Sequence, residues 1–475
     1  MEKRVFLFLI ITFSFLFLYS LWLKNTTPYN SPQKEMIKKK KEVYLPKKKE
    51  KTEKIETEKF IVTYSITGGY VKKIFIKPYK EFLPFTNIGY SPQYKDKEFK
   101  LIQKDDTVIL IYNDLVKEFS FKDYLLKLKI KSKAHGEILF SNLLESNKLS
   151  QRYQEVFYQE KDRLKRKPLL RTKESFFKTS FLGTRSRYYC LVIWDEKTRE
   201  VVLHKENKKR IDWILKTEFP EDEINIYIGP QLQEELKKYN LEKIIHYGAF
   251  HSIAVLLIKI LIFFNSFTHN WGVSIILLSA AVYLLFFPFT AKSTKAMKKM
   301  QEVQLKLQSK IEELKKKYKD NPTRLNKELV ELYRQYGVNP AGGCLGGCLP
   351  FFLQIPFFIA LYQALLRLVE LKNARFLWIK DLSSPDRAIF LGFNLPFIGE
   401  YLNILPLLLV VLNLLQQRVV QAPMQDSQQK QVGTFFILFI GFIFYHFPSG
   451  LVLYWLVQNI FTFIYQWRLN RVSFS

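Results

Sequence analysis

The sequence predicts a polytopic α-helical membrane protein with an exported all-β sandwich domain and a cytoplasmic helical hairpin. Six transmembrane helices are expected, five of them forming one core. Three observations predict this class. Apolar runs of spanning length stand at 5–23 and 271–290 and recur through 347–467, while 56–235 and 291–340 are rich in charge. Short runs bounded by turn residues, several alternating with period two, fill the region from 59 to 230. A strongly basic segment of helical period follows the run at 271–290, as the positive-inside rule requires of a cytoplasmic loop.

Taken in order, MEKR precedes the apolar run 5–23, and KNTTPYN follows it without a small-residue cleavage site. Residues 1–24 therefore read as an uncleaved signal anchor with a cytoplasmic N-terminus, which places residue 25 onward on the exported side. The lysine-rich stretch 25–57 has almost nothing to pack in a core and reads as a disordered tether extended by its own charge. Residues 58–235 read as the β-sandwich. FIVTYSITGGYVKKIFI turns at Gly68-Gly69, and TVILIYN, YLLKLKI, GEILFSNLL, YYCLVIWD, REVVLHK and INIYIGP are further strands. Residues 236–269 form a linker. Its apolar stretch 253–267 is short and carries Lys259, so it is expected to lie along the outer membrane surface.

Residues 270–475 hold the five core spans, at 271–290, 345–366, 396–415, 433–447 and 451–467. The run 433–447 covers only about 22 Å as a helix against a hydrocarbon core near 30 Å, which implies either local bilayer thinning or a helix longer than its apolar run. Between the first two spans, 291–340 is an amphipathic helical hairpin. Met297, Met300, Val303, Leu307, Ile311 and Leu314 recur at helical spacing, Asn321-Pro322 breaks the pattern, and Leu325, Leu329 and Leu332 resume it. Lys292, Lys295, Lys298, Lys299, Lys315, Lys316 and Lys317 give it a basic face. Arg468 and Arg471 after the last span place the C-terminus in the cytoplasm too.

The formal charge of +29 predicts attraction to polyanions, meaning anionic lipids or RNA. Three cysteines, Cys190, Cys344 and Cys348, argue against a disulfide framework, and GGCLGGCLP lacks the His or acidic neighbours of a metal site. No phosphate-binding glycine loop and no catalytic constellation is present, so no enzyme activity and no cofactor are expected. Neither mid-membrane ionisable residues nor inverted repeats argue for a transporter.

Six motifs in the core then carry a resemblance: NWGVSIILLSAAV (270–282), FPFTAKSTKAMKKMQ (287–301), YGVNPAGGCLGGCLP (336–350), LQIPFFIALYQAL (353–365), LWIKDLSSPD (377–386) and FPSGLVLYWLVQN (447–459). They resemble the YidC/Oxa family of membrane protein insertases, of the bacterial type with a large exported β domain. TGGYVKKIFIKPYKE (67–81) and IYIGP (226–230) are similar to that exported domain. The resemblance implies insertion and folding of newly made membrane proteins in the bacterial inner membrane, alone or beside the Sec translocon, without nucleotide hydrolysis. It implies nascent membrane proteins, Sec components and anionic lipids as partners, with the ribosome or targeting factors meeting the basic hairpin. It also implies a polar groove open to cytoplasm and lipid.

Candidate groove residues are Ser279, Tyr283 and Thr290, which share a narrow arc with Gly272. Gln354 and Asn413 join them, with Tyr454, Trp455, Gln458 and Asn459 in the last span. Such side chains either line a groove or bond neighbouring helices together, and both readings stand at this stage. The family usually places an arginine where this sequence has Tyr283. A phenol can donate and accept a hydrogen bond but is uncharged near neutral pH, so hydration rather than charge is expected to serve the groove.

Overall fold

The computed structural model describes residues 50–472, apart from 134–135, 146–147, 162, 173, 208–209, 218–219, 320, 337–339, 396–397 and 421–426. The expected signal anchor (1–24) and most of the tether lie outside these residues. The chain divides into two compact units: one runs to Thr184 and adds Leu191–Tyr227, and the other joins Arg185–Cys190 to the chain from Ile228 onward.

In the first unit, period-two alternation produces a 16-stranded sheet whose path starts at Thr52–Glu56 and ends at Lys100–Lys104. Phe60, on the second strand of that path, meets Phe121, on the third strand from its other end, at 5.7 Å between ring centroids. Tyr64 and Phe119 repeat the contact at 5.7 Å. The sheet therefore folds over and packs one face on itself, burying Phe60, Val62, Tyr64, Phe119 and Leu128. The expected turn is present, with Gly68 and Gly69 both at positive φ between strands Phe60–Ser65 and Tyr70–Ile76. Two expectations need correction. Thr52–Glu56, assigned to the tether, is an edge strand paired from Thr52↔Ser65 to Glu56↔Ile61. Backbone hydrogen bonds hold it with only Ile55 buried, and its charged side chains suit an edge. YYCLVIWD and REVVLHK are one strand, Tyr189–Asn207.

Among the buried ionisable groups of this unit, Arg199 pairs with Asp222 and Arg210 with Asp212, whereas Lys117 meets backbone carbonyls. Lys117 is fully buried and donates from Nζ to Gly69 O (2.8 Å) and Gly89 O (2.7 Å), with the Phe99 ring at 5.4 Å. Burial lowers its pKa from the ordinary lysine value to about 7.

The second unit is helical: α1 (His251–Thr268), α2 (Trp271–Lys306), α3 (Gln308–Lys317), α4 (Pro322–Gln335), α5 (Pro340–Arg367), α6 (Ile404–Val420), α7 (Ser427–Phe444) and α8 (Ser449–Val472). His269 in the left-handed region ends α1, and Asn270 Oδ1 caps α2 by accepting from Gly272 N (2.9 Å) and Val273 N (3.2 Å). α2 runs unbroken for 36 residues through Pro288, so the boundary expected at 290 is chemical and not a break in the helix. Its C-terminal turns, α3 and α4 bring together Leu307, Leu329 and Tyr333 with Met300, Val303, Ile311, Leu314, Leu325 and Leu332. This is the expected hairpin seam, except that Met297 is exposed.

Among the described residues, two helices are long and apolar enough to cross a membrane, His251–Thr268 and Trp271–Met300; Ile404–Arg418 and Gln431–Phe444 are shorter. The stretch expected along the membrane surface thus passes the same test as the span after it. α7 begins at Ser427, so its 18 residues extend about 27 Å and the helix exceeds its apolar run. The expected span at 396–415 begins later, at Ile404, because 389–402 form a hairpin of strands Ile389–Leu395 and Gly399–Leu402. Asp386 Oδ2 accepts from Ile404 N (2.8 Å) and Leu405 N (2.9 Å) and so fixes where α6 starts.

Candidate functional site

Burial within the helical unit is lopsided. On α2 the buried side chains Ser274, Ile275, Leu278, Ser279 and Val282 lie in the N-terminal third, and Ser293 is the one buried beyond it among the described residues. On α5 they are Ala360, Leu361 and Ala364 to Leu366, on α6 Leu405 and Leu409, on α7 Phe444, and on α8 Leu451 to Tyr454 and Val457. All the apolar members except Leu366 belong to one cluster. One end of the bundle, made by the starts of α2, α6 and α8 and the ends of α5 and α7, is therefore sealed. Beyond it, every described side chain at 283–292, 354–359, 410–418 and 458–470 is half-buried or exposed.

Arg187 reinforces the sealed end. Its Nε donates to Leu366 O (2.6 Å) in the last turn of α5, where carbonyls lack helical partners. Its other donor meets Ser383 O (2.7 Å), and Tyr188 OH bonds Ser383 Oγ (2.9 Å). Sequence reading missed this clamp, because Arg187 and Leu366 are 179 positions apart and no local pattern links them.

The expected site residues divide by burial. Ser279 is fully buried, with its hydroxyl turned back to Ile275 O (2.8 Å) and its carbonyl accepting from Gln458 Nε2 (2.8 Å). Tyr454 is fully buried, and its hydroxyl accepts from Gln354 Nε2 (2.9 Å) and Gln458 Nε2 (3.4 Å). These four residues form one network joining α2, α5 and α8. Trp455 packs edge-on against Phe358 at 5.2 Å.

Tyr283 is half-buried. Its ring stacks on Phe461 at 5.2 Å and its hydroxyl donates to Phe461 O at 3.3 Å. Thr290, Asn413 and Asn459, also half-buried, donate to carbonyls of their own helices, at Phe286 O (3.2 Å), Leu409 O (2.8 Å) and Trp455 O (2.8 Å). The helical arc that grouped Gly272 with Ser279, Tyr283 and Thr290 does not give them one environment. A Cβ at Gly272 would stand 2.1 Å from the Phe376 ring, so that position is a close approach at the sealed end.

Two further polar pairs lie outside the sealed end: Gln416 Nε2 to Gln466 Oε1 (2.7 Å) and Thr434 Oγ1 to Gln417 Oε1 (3.2 Å). Gln417, Thr434 and Gln466 escaped sequence reading, although three glutamines near helix ends in apolar segments were a usable signal. No Asp, Glu, Lys or Arg occurs at 271–291, 354–366, 404–417 or 449–467. The half-buried zone is thus polar yet uncharged. On the basic hairpin, Lys292, Lys295, Lys299, Lys315, Lys316 and Lys317 are exposed, whereas Lys298 is half-buried and donates to Leu469 O (2.6 Å) on α8.

An apolar bundle sealed at one end, lined by uncharged polar groups toward the other and joined in one chain to a large β unit, defines a class: α-helical membrane proteins carrying a β domain. Residues 263–474 match the family described as 60Kd inner membrane protein. The chain is similar to the curated "Membrane protein insertase YidC" of Syntrophobacter fumaroxidans, with 41% identity over 251 residues, covering 52% of this chain and 43% of that one. It is similar also to the protein of that name from Magnetococcus marinus, with 42% identity over 250 residues, covering 52% and 41%. A solved structure described as "Active YidC insertase crystal structure with the first transmembrane domain resolved" aligns over 88% of this chain and 94% of that one, at 19% identity and a TM-score of 0.43. The matches span less than half the length of these curated relatives.

Proposed function

We propose that this chain is a membrane protein insertase. It receives hydrophobic segments of newly made proteins from the cytoplasm, holds their polar flanks in the half-buried zone and releases the apolar part sideways into the bilayer. The observation that carries this reading is the lopsided burial: one sealed end, then half-buried polar side chains along otherwise apolar helices. Moving a polar flank through hydrocarbon costs several kcal/mol for each unsatisfied backbone group. Hydrogen-bonding side chains and water in a recess open at one end shorten that path, and the sealed end keeps the membrane closed.

On this reading the sealed end faces the periplasm and the hairpin of α3 and α4 faces the cytoplasm. The chain spans the inner membrane six times, counting the signal anchor, with both termini cytoplasmic and 25–269 periplasmic. α1 lies along the outer surface, where Lys259 reaches water. The exposed lysines of the hairpin contact nascent chains, anionic lipid, and ribosomal RNA or targeting factors. Insertion proceeds alone or beside the Sec translocon, with no bond made or broken and no cofactor. Tyr283, where the family usually has arginine, makes the recess neutral, so hydration rather than a fixed cation receives the polar flank.

Reconstitution in liposomes with a short ribosome-released membrane protein tests this. Protease-protected, correctly oriented substrate is expected only with the protein present. Equal insertion into empty liposomes would overturn the proposal.

A further inference from the structure

Beside the sealed end, the hairpin 389–402 presents a surface unlike that of a water-facing loop. Ile389 (48%), Phe390 (61%) and Phe393 (59%) are exposed, and Leu377 (75%) and Trp378 (39%) lie on the preceding loop. Basic groups interleave with them: Arg375, Lys380, Arg387 and His446 are exposed, and none of these makes an ion pair among the described residues. Large apolar side chains alternating with cations mark a surface meant for the lipid–water boundary.

A cavity of ≈ 700 Å³ opens in this surface. Arg387, Glu400 and His446 supply its charged and titratable lining, Asn394 and Asn403 its amides, and Leu395 and Ile398 an apolar wall. Its floor is firmly built. Asn403 Nδ2 donates to Tyr445 O (2.8 Å), Tyr445 OH donates to Tyr401 O (3.0 Å), and Asn403 Oδ1 accepts from Arg387 N (2.9 Å). The Arg387 guanidinium stands over the Tyr401 ring at 5.8 Å. Arg387 and Glu400 line the same cavity yet form no ion pair with each other. One cation and one anion held apart beside an apolar wall complement a zwitterionic amphiphile.

We propose that this cavity binds the head group of a phospholipid bearing a primary amine, phosphatidylethanolamine, from the leaflet at the sealed end. Arg387 takes the phosphate, as guanidinium geometry favours. Glu400 takes the ammonium, and the acyl chains run along Ile398, Phe390 and Phe393. The bound lipid holds the hairpin, and through Asp386 and Asn403 the start of α6, at a fixed depth. The proposal rests on the membrane setting of the helices and not on insertion activity, so the two fail separately.

The test is native mass spectrometry of the detergent-solubilised full chain titrated with phosphatidylethanolamine, phosphatidylglycerol and the soluble head group glycerophosphoethanolamine. The wild type is expected to prefer phosphatidylethanolamine over phosphatidylglycerol and to ignore the soluble head group. Arg387→Gln is expected to weaken both lipids by about tenfold, and Glu400→Gln to abolish the preference alone. Both positions are exposed, so the fold tolerates the changes, and an unchanged thermal midpoint checks this. Equal binding of the two lipids by the wild type, unaltered binding by both variants, or binding of glycerophosphoethanolamine as tight as the lipid each overturns the proposal.

Discussion

Tyr454 and Tyr283 make opposite predictions, although each carries a hydroxyl on a helix of the same bundle. Tyr454 is fully buried, and its hydroxyl takes one good hydrogen bond from Gln354 at 2.9 Å and one long one from Gln458 at 3.4 Å. Interhelical hydrogen bonds inside membranes average about 0.6 kcal/mol and reach about 1.7 kcal/mol. Tyr454→Phe should therefore destabilise the helical unit by about 1 kcal/mol. The half-buried amide of Gln354 can recover a water, which keeps the loss from growing. A cycle with Gln354→Leu should return a coupling of about 0.6 kcal/mol, roughly threefold in the unfolding equilibrium. Tyr283 differs, because its hydroxyl makes one long bond to a helical carbonyl in the half-buried zone. Tyr283→Phe should scarcely change stability but should slow insertion, since it removes a polar group from the path. Reversible unfolding in mixed micelles and liposome insertion, run on the same variants, give both readouts. Insertion lost in Tyr454→Phe at unchanged stability would refute this division. So would full insertion by Tyr283→Phe.

Two further predictions concern other parts of the chain. The folded-state pKa of Lys117 lies near 7, below the ordinary value of 10.5, so its contribution to stability is complete above 10.5 and is lost as pH falls through 7. The β unit should gain stability between about pH 7 and 10, by up to about 1.4 kcal/mol per pH unit. Lys117→Met should flatten that slope while leaving Gly69 O and Gly89 O unsatisfied at about 1–3 kcal/mol each; amide exchange of strand Leu115–Lys122 at two pH values measures both, and an unchanged slope would contradict the assignment. Asp386→Ala should cost about 1–2 kcal/mol by uncapping α6 and releasing Trp378 Nε1, whereas Asp386→Asn should recover most of it; equal damage in an unfolding titration would argue against the cap.

Legibility in the sequence followed locality. A short apolar run bounded by turn residues exposed Thr107–Tyr112, and period two exposed Leu125–Lys131, because alternation is written in neighbouring residues. It concealed Leu115–Lys122, where Lys117 points inward and breaks the expected rule, and Thr52–Glu56, which needs almost no burial to pair. The seam of the hairpin of α3 and α4 was legible except for Met297, which is exposed, and Tyr333, which joins it, since the seam is a helical repeat. In the site, the polar residues were legible as types, because few polar groups interrupt these spans. Their division was not: Ser279 and Tyr283 lie one helical turn apart, yet one is sealed and the other half-open. That difference depends on where α5 and α8 close over α2, which is a property of tertiary packing.

The account rests on the half-buried zone being hydrated from one side. Single cysteines at Tyr283, Asn413 and Asn459, in a chain lacking Cys190, Cys344 and Cys348, can be challenged with a membrane-impermeant maleimide applied to either face. The account predicts labelling of all three from the cytoplasmic face only, with control cysteines at Leu278 and Leu451 silent from both. No labelling at 283, 413 and 459, or labelling from the periplasmic face, would contradict it.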